Sequence, residues 1–168
     1  MKLIIVTGPA GSGKSTYVEN YSDYEIIHLD KYRYGPKWLK LSYEEFKNNV
    51  FDELFKDDND KVIDGAYFDV NDDEQARNRL IDELIPMCNT KLVIFIFEHE
   101  LTQVTRILNR SFERIREHTT NESGNVEDAS SVARLIHKNV INFDRIKNKY
   151  LELYNNNKEI ADIYRIPK

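Results

Sequence analysis

The stretch that decides the fold reads Leu3-Ile4-Ile5-Val6-Thr7-Gly8-Pro9-Ala10-Gly11-Ser12-Gly13-Lys14-Ser15-Thr16. Its apolar start, Leu3 to Val6, predicts a short buried strand. The part from Gly8 onward matches the pattern G-x-x-x-x-G-K-[ST] without a gap. Because the match follows a predicted strand and opens a predicted helix, it predicts a loop that wraps a phosphate group.

Each residue type in this loop has a chemical reason. Glycines let successive backbone N–H groups turn inward around an anion, and the following helix points its positive end at it. Lys14 would add a point charge on the β and γ phosphates, and the Ser15 hydroxyl is a suitable ligand for Mg²⁺. The alternative is a plain glycine turn beside a solvated lysine. The residues predicted to contact a nucleotide are Gly8, Ala10, Gly11, Ser12, Gly13, Lys14, Ser15 and Thr16.

Short apolar runs alternate with helical patterns along the rest of the chain, which favours a doubly wound α/β fold in a single domain spanning residues 1–168. The predicted strands are Leu3–Val6, Glu25–Leu29, Lys61–Ile63, Lys91–Phe97 and Ile160–Ile166. The predicted helices follow the Ser42/Glu45 capping box, run from Asp72 to Ile85 before Pro86, carry the apolar stripe from Leu101 to Ile115, and form one long last helix over Val132–Tyr150. Only Thr119–Ser131 has the composition of a loop.

Composition narrows the class of protein. The chain has 168 residues, of which 40% are hydrophobic and 32% charged, as in globular proteins. The net charge of -5 does not favour binding to duplex nucleic acid. The single cysteine, Cys88, excludes an intrachain disulfide and suits a reducing compartment. No apolar run reaches the roughly 18 residues of a membrane span, and the N-terminal run is too short for a signal peptide, so we expect a cytoplasmic protein.

Two aspartates follow predicted strands. Asp30 follows the second strand and Asp64 the third, and the carboxyl ends of parallel strands meet at one edge, where ligands bind. Asp64 could hold Mg²⁺ together with Ser15, and Asp30 could accept or orient the proton of an acceptor hydroxyl. The alternative for either is an aspartate that starts a turn or caps a helix. His28 is interpreted as a half-buried strand residue without a catalytic role.

An arginine row predicts contacts with a phosphoryl group. Arg106, Arg110 and Arg114 recur every four residues and therefore share one helix face beside the predicted loop. Guanidinium groups bind phosphoryl oxygens bidentately, and a helix next to a flexible loop suits a lid over ATP. The alternative is a solvated face paired with nearby glutamates. Arg33 and Arg77 are weaker candidates for contacting the acceptor. The aromatic residues near Arg33 could stack on a base or cover the core edge, and the second interpretation is slightly favoured; they are Tyr32, Tyr34, Trp38 and Tyr43.

The chain resembles the adenylate-kinase-like P-loop kinases. Within them it is most similar to the small bacterial DNA topology modulation (FlaR-type) proteins. The segments that carry this resemblance are Gly8–Thr16, His28-Leu29-Asp30-Lys31 with Trp38 soon after, Val62-Ile63-Asp64-Gly65-Ala66-Tyr67, and the strand Leu92–Phe97 followed by the arginine helix.

This resemblance implies a five-stranded parallel sheet in the order 2-3-1-4-5, with a helical lid after strand four at about residues 100–130. It also implies that the protein uses ATP with Mg²⁺ and that Lys14 and Ser15 contact the nucleotide. Asp64 would be the acidic residue of the Walker B motif. Asp30 would lie on the acceptor side of the site, and the lid arginines would contact the γ phosphate. Ala66-Tyr67-Phe68 stands where adenylate kinase has Phe-Pro-Arg, which argues against AMP as the acceptor.

Three functions are compatible with these patterns. The first is a kinase that transfers the γ-phosphoryl group of ATP to a small-molecule or nucleotide acceptor, acting as a monomer or homodimer. The second is a polynucleotide 5′-hydroxyl kinase, for which Asp30 and Arg33 would be suitably spaced. The third is an ATP-binding regulator or nucleic-acid-associated protein with little phosphotransfer. A GTPase is disfavoured because Asn-Lys-x-Asp is absent.

Overall fold

The computed structural model describes residues 1–68, 74–117 and 128–167 of the chain. Within those ranges, the strands are β1 (Lys2–Thr7), β2 (Glu25–His28), β3 (Lys61–Asp64), β4 (Asn89–Phe97) and β5 (Ala161–Ile166). The helices are α1 (Lys14–Val18), α2 (Leu29–Tyr32), α3 (Tyr43–Leu54), α4 (Glu74–Met87), α5 (Glu100–Glu117), α6 (Ala129–Ile141) and α7 (Phe143–Asn156), with a short 3-10 turn at Pro36–Trp38.

The five strands form one parallel sheet in the order β2-β3-β1-β4-β5. This confirms the predicted α/β fold and its strand order. In the register of the sheet, Asp64 at the end of β3 lies opposite both Val6 of β1 and His28 of β2. The ends of three adjacent strands therefore meet at one edge, directly beneath the loop that follows β1.

Helices and aromatic side chains cover the two faces of the sheet. Alternate residues of β1 point to opposite faces, so Leu3 and Ile5 join the larger core while Ile4 and Val6 join the smaller one. Residues of α3, α4 and α7 fill the larger core. Val18 of α1, with several tyrosines, packs on the smaller core. Burial on both faces explains why the strands read as continuous apolar runs.

The predicted long last helix is in fact two helices. Asn142 separates them. It is the C-cap of α6 and the N-cap of α7, and its backbone angles are not helical. Its side-chain amide donates a hydrogen bond to the Lys138 carbonyl at 2.8 Å. Asparagine competes with the helical backbone in this way, so the apolar stripe continues across a break that its periodicity does not reveal.

Two other boundaries differ from the prediction. Pro86 lies inside the last turn of α4, which ends at Met87, so the helix continues for only one residue after the proline. The predicted start at Asp72 lies outside the described residues. Helix α6 begins at Ala129 because Asp128 caps it, accepting a hydrogen bond from the Ser131 amide at 2.7 Å. The predicted loop, Thr119–Ser131, is therefore too long. The remainder of that loop, 119–127, lies outside the described residues.

The predicted capping box of α3 is confirmed. The Glu45 amide donates to the Ser42 hydroxyl at 3.2 Å, and the Ser42 amide donates to the Glu45 carboxylate at 3.0 Å. Among the helices in the described ranges, none combines the length and apolar character that a membrane span requires.

Candidate active site

A cavity of about 330 Å³ opens at the carboxyl edge of the sheet. Its walls come from the loop after β1, the ends of β2 and β3, and the helices α1, α2, α4, α5, α6 and α7. The lining residues are Pro9, Ala10, Lys14, Ser15, His28, Asp30, Lys31, Asp64, Gly65, Ala66, Phe68, Arg77, Arg114, Leu135, Asn139 and Ile146. Parallel α/β sheets bind their ligands at this position.

The loop after β1 has the conformation that phosphate binding requires. Gly11 and Gly13 have φ angles of 79° and 90°, in the left-handed region that glycine adopts without strain. A side chain at Gly8 would lie 2.8 Å from the Cβ atom of Phe95, so the loop also passes too close to β4 for any other residue. Helix α1 begins directly after Gly13, at Lys14. The loop is therefore shaped to hold an anion at the start of a helix.

The structure places the eight predicted nucleotide-contacting residues in this loop and at the start of α1. Ala10, Lys14 and Ser15 line the cavity, with the Lys14 ammonium folded over the loop and donating to the Pro9 carbonyl at 3.3 Å. Thr16 is exposed and does not line the cavity. Of the remaining loop residues, Ser12 is almost fully buried, at 2% exposure.

Asp64 forms the polar centre of the site. Its Oδ2 atom accepts a hydrogen bond from the Ser15 hydroxyl at 2.8 Å and lies 2.9 Å from Nδ1 of His28. Burial alone would raise the pKa of Asp64, but His28, the Lys14 charge and the Ser15 hydroxyl outweigh it and hold the pKa below its usual value. Asp64 is therefore an anion at neutral pH.

The Ser15 hydroxyl and the Asp64 carboxylate fit a magnesium ion. They are hard oxygen donors in direct contact, at the edge where a triphosphate would lie. No group of three or more His, Cys, Asp or Glu side chains in the described part of the chain is arranged to hold a metal. This donor set matches Mg²⁺, which is commonly held by one or two protein oxygens together with substrate phosphates and water.

His28 is a half-buried strand residue with a polar partner, as the sequence predicted, and it also lies at the site. It is the last residue of β2, and the parallel register puts it opposite Asp64. Its side chain is half-buried and lines the cavity. The signal that could have revealed it was its place at a strand end beside Asp30, because strand ends at this edge face the ligand.

Asp30 and Arg77 form an ion pair in the cavity wall. Asp30 follows β2, as predicted, and lies in the first turn of α2. Its Oδ1 atom is 2.7 Å from Nη2 of Arg77 on α4. The Asp30 side chain is 27% exposed and that of Arg77 is 8% exposed. Arg77 was only a weak candidate from the sequence, and the packing of α4 brings it into the site.

The arginine row begins beside the phosphate loop, which is the loop Gly8–Gly13 after β1. The Arg106 side chain lies beside Gly11 and Gly13, and its guanidinium carbon is 5.8 Å from the centre of the Phe97 ring. Arg114, two turns further along α5, lines the cavity. Arg110 lies between them on the same helix and is half-buried. The part of the predicted lid between α5 and α6 falls on residues 118–127, outside the described residues.

Arg33 does not contribute to the cavity, so the prediction that it contacts the acceptor is wrong. Its side chain is 2% exposed, donates to the Leu41 carbonyl and lies 5.4 Å from the centre of the Phe46 ring. The chain reverses direction between Arg33 and Leu41 and covers this guanidinium. Trp38, at the tip of that reversal, is 54% exposed and is therefore not cover for the core.

Sequence reasoning also missed a polar link behind the phosphate loop. The buried side-chain amide of Gln103 on α5 donates to the Ala10 carbonyl at 3.1 Å and to Oδ1 of Asn139 on α6 at 3.0 Å. Asn139 in turn donates to the Leu135 carbonyl at 2.8 Å. A glutamine one turn before Ile107, on the buried side of α5, is the sequence signal that could have revealed this link.

The strand order, the phosphate loop after the central strand β1 and the acidic residue at the end of β3 define a P-loop kinase-like α/β fold. No protein-family model and no curated protein sequence matches the chain.

Two solved structures are similar to the chain over nearly its whole length. The first is described as an uncharacterized protein from Eubacterium ventriosum ATCC 27560, with 13% sequence identity, a TM-score of 0.49, and coverage of 99% of this chain and 89% of that chain. The second is dephospho-CoA kinase from Campylobacter jejuni, with 14% identity, a TM-score of 0.45, and coverage of 100% and 90%. At these values the similarity says nothing about substrates, and function depends on the residues of the site.

Proposed function

We propose that the protein is an ATP-dependent kinase that transfers the γ-phosphoryl group of ATP to a hydroxyl of a small-molecule or nucleotide acceptor. One observation carries the proposal: a single cavity joins the phosphate loop, the Ser15–Asp64 contact and the Asp30–Arg77 ion pair. A nucleotide-binding protein without an acceptor needs only the first two. The third lies beside them on α2 and α4, where a second substrate would meet the terminal phosphate.

Each group has a role in this reaction. The loop amides and Lys14 bind the β and γ phosphates, and Ser15 with Asp64 would hold Mg²⁺, which supplies charge neutralisation at the phosphate oxygens. Arg106, Arg110 and Arg114 stabilise negative charge on the transferring group. In this proposal α5, within the region of about residues 100–130, acts as a lid that excludes water.

The polynucleotide kinase is less well supported. Its sequence argument paired Asp30 with Arg33, and Arg33 is buried against Phe46 and holds the Leu41 carbonyl instead. The acidic net charge of -5 also opposes attraction of a polyanion. An ATP-binding regulator uses the same phosphate loop, so only a transfer assay separates it from a kinase.

The proposal is tested by Mg²⁺-dependent ADP release from ATP across nucleosides, nucleoside monophosphates, polyols, sugars and 5′-hydroxyl oligonucleotides. We expect one acceptor class to raise turnover well above the hydrolysis background. Lys14→Ala should reduce that turnover by at least about 100-fold, because the charge on the terminal phosphates is lost. Lys91→Ala, at a surface ion pair with Asp162, is the matched control and should leave it unchanged.

If ATP binds and no acceptor class stimulates turnover, the kinase proposal fails and the protein is an ATP-binding module. Transfer to oligonucleotides alone would instead establish the polynucleotide kinase.

A further inference from the structure

We infer that the acceptor is an uncharged, hydroxyl-bearing small molecule, a sugar, polyol or nucleoside, whose reacting hydroxyl is received by Asp30 while Arg77 holds that carboxylate in place. This inference rests on the proposed kinase function and names the substrate class of the same site. It follows from the exposure of the ion pair, the charges that line the cavity and the nature of its other walls.

The first step concerns which member of the ion pair meets the acceptor. Both side chains line the cavity, but that of Asp30 is 27% exposed and that of Arg77 only 8% exposed. A ligand in the cavity therefore has more access to the Asp30 carboxylate than to the Arg77 guanidinium, and carboxylate oxygens only accept hydrogen bonds and repel a phosphate or carboxylate group. A hydroxyl group is the complementary ligand, since it donates a hydrogen bond to Asp30 and carries no charge.

The second step concerns the charges around the cavity. Among the lining residues that the structure describes, the cations are Lys14, Lys31, Arg77 and Arg114. Asp30 neutralises Arg77, and in the proposed function Lys14 and Arg114 face the phosphoryl groups of ATP. Lys31 is exposed to solvent. Each buried cation in this described part of the wall is therefore either paired with Asp30 or, in the proposed function, in contact with ATP. An anionic acceptor would have to leave water without a buried cation to pair with, which is costly.

The third step concerns shape and apolar surface. Phe68, Leu135 and Ile146 line the same cavity and offer carbon surface to a sugar ring or a base. The cavity volume of about 330 Å³ is at the small end of the range typical of ligand pockets, and it must also admit the terminal phosphates of ATP. The acceptor is thus a compact molecule with hydroxyl groups at one end and a less polar face.

The chemical step balances without another reactant. The acceptor oxygen attacks the γ phosphorus, the bond from that phosphorus to the β,γ-bridging oxygen breaks, and ADP leaves with the electron pair. The hydroxyl proton passes to the Asp30 carboxylate, which Arg77 orients. The products are ADP and a phosphate monoester of the acceptor.

The test compares matched pairs of acceptors that differ by one phosphate group: adenosine with AMP, glucose with glucose 6-phosphate, and glycerol with glycerol 3-phosphate. We expect the uncharged member of one pair to give a kcat/KM at least about tenfold higher, and the pair identifies a nucleoside, sugar or polyol source. Preference for the phosphorylated member overturns the inference while the kinase function stands. ATP binding with no stimulation by any member overturns both.

Two variants test the roles of the pair. Asp30→Asn keeps the shape and removes the charge, so we expect kcat/KM for the uncharged acceptor to fall by about 100-fold or more, with ATP affinity unchanged. Its preference for the uncharged over the phosphorylated member should also weaken, because the repelling charge is gone. Unchanged turnover in Asp30→Asn, in the same preparation series where Lys14→Ala is inactive, overturns the assignment.

Arg77→Met tests the positioning role. It should change the ratio of kcat/KM for the uncharged acceptor to kcat/KM for the phosphorylated acceptor, which a purely structural contribution would not alter. Arg77→Lys should restore part of the wild-type ratio. The matched control is Arg79→Met, two residues along α4, where the arginine pairs with Glu83 and does not line the cavity. If Arg77→Met unfolds, the preference measured in Asp30→Asn decides alone, since that variant retains a side chain of the same shape.

Discussion

Two side chains converge on one oxygen of Asp64, and this convergence sets the geometry at the scale of single residues. Ser15 and His28 both lie within 2.9 Å of Oδ2, so the carboxylate has one preferred rotation. Groups that orient a metal ligand typically change metal affinity or activity by about 10–100-fold when removed. In this interpretation His28 is a positioning residue that acts through Asp64.

Replacing His28 should therefore change the magnesium requirement more than the affinity for ATP. We expect His28→Ala to raise the Mg²⁺ concentration for half-maximal ADP release by about tenfold, whereas His28→Asn keeps a nitrogen near the Nδ1 position and retains most of the function. Binding of Mn²⁺ to the ATP complex, followed by electron paramagnetic resonance, gives a second readout. Equal metal requirements in wild type and His28→Ala would refute the positioning role.

At the scale of elements, a buried lysine joins the starts of β2 and β3. Lys61, the first residue of β3, has no exposed side-chain surface, and its ammonium contacts Glu25 of β2 at 2.8 Å and Asp57 at 2.5 Å. The hydrogen bond from Lys61 is the main reason that the pKa values of both carboxyls lie below their usual range. A carboxyl whose pKa is lowered by folding stabilises the protein above its unfolded-state pKa, and that contribution disappears as pH falls through the folded-state value.

Acid should accordingly destabilise the wild type more steeply than a variant without this ammonium. The unfolded pKa values are near 4, so we expect the urea midpoint of wild type to fall as the pH drops below about 4. In Lys61→Met the pKa values of the two carboxyls should rise toward their ordinary range because the main cause of lowering is lost, and the decline over the same range should be shallower. Lys91→Met, at an exposed pair, serves as the control, and parallel pH profiles for wild type and Lys61→Met would contradict the explanation.

At the scale of the whole molecule, Gln103 connects parts of the chain that are far apart in sequence. Its amide reaches Ala10, 93 positions away in the phosphate loop, and Asn139, 36 positions away on α6. Because Gln103 is 2% exposed, these hydrogen bonds are not replaced by water when the side chain is lost. The loop after β1 is thereby fixed to α5 and α6 behind it.

Losing this link should lower both stability and the effect of ATP. We expect Gln103→Leu to reduce the free energy of unfolding by about 1–3 kcal/mol, because a carbonyl and an amide oxygen lose their donor. ATP with Mg²⁺ should raise the Tm of wild type by more than that of the variant, as a weaker ligand stabilises less. Thermal unfolding with and without ATP measures both effects, with Thr105→Ala on the exposed side of α5 as control. Identical ATP-induced shifts would rule out the link as a support of the loop.

The sequence alone predicted the parallel α/β fold, the phosphate loop and the position of Asp30 and Asp64 at one edge of the sheet. These features depend on near neighbours: apolar runs predict strands, glycine spacing predicts the loop, and a parallel sheet brings strand ends together. The strand order 2-3-1-4-5 came from the resemblance and is confirmed. The boundaries around Pro86 and Asn142 were wrong because single side chains decide where a helix ends.

Only the tertiary structure decided which side chains meet. His28 contacts Asp64 across 36 positions because β2 pairs with β3 in parallel register, and the position of α4 brings the Arg77 side chain within 2.7 Å of Asp30 on α2. Arg33, although it is much closer to Asp30 in sequence than Arg77 is, is instead covered by the chain reversal that follows it. A local pattern specifies the type of a residue and the element that carries it. The register of the sheet and the docking of helices determine its partner, and these depend on burial of the whole core.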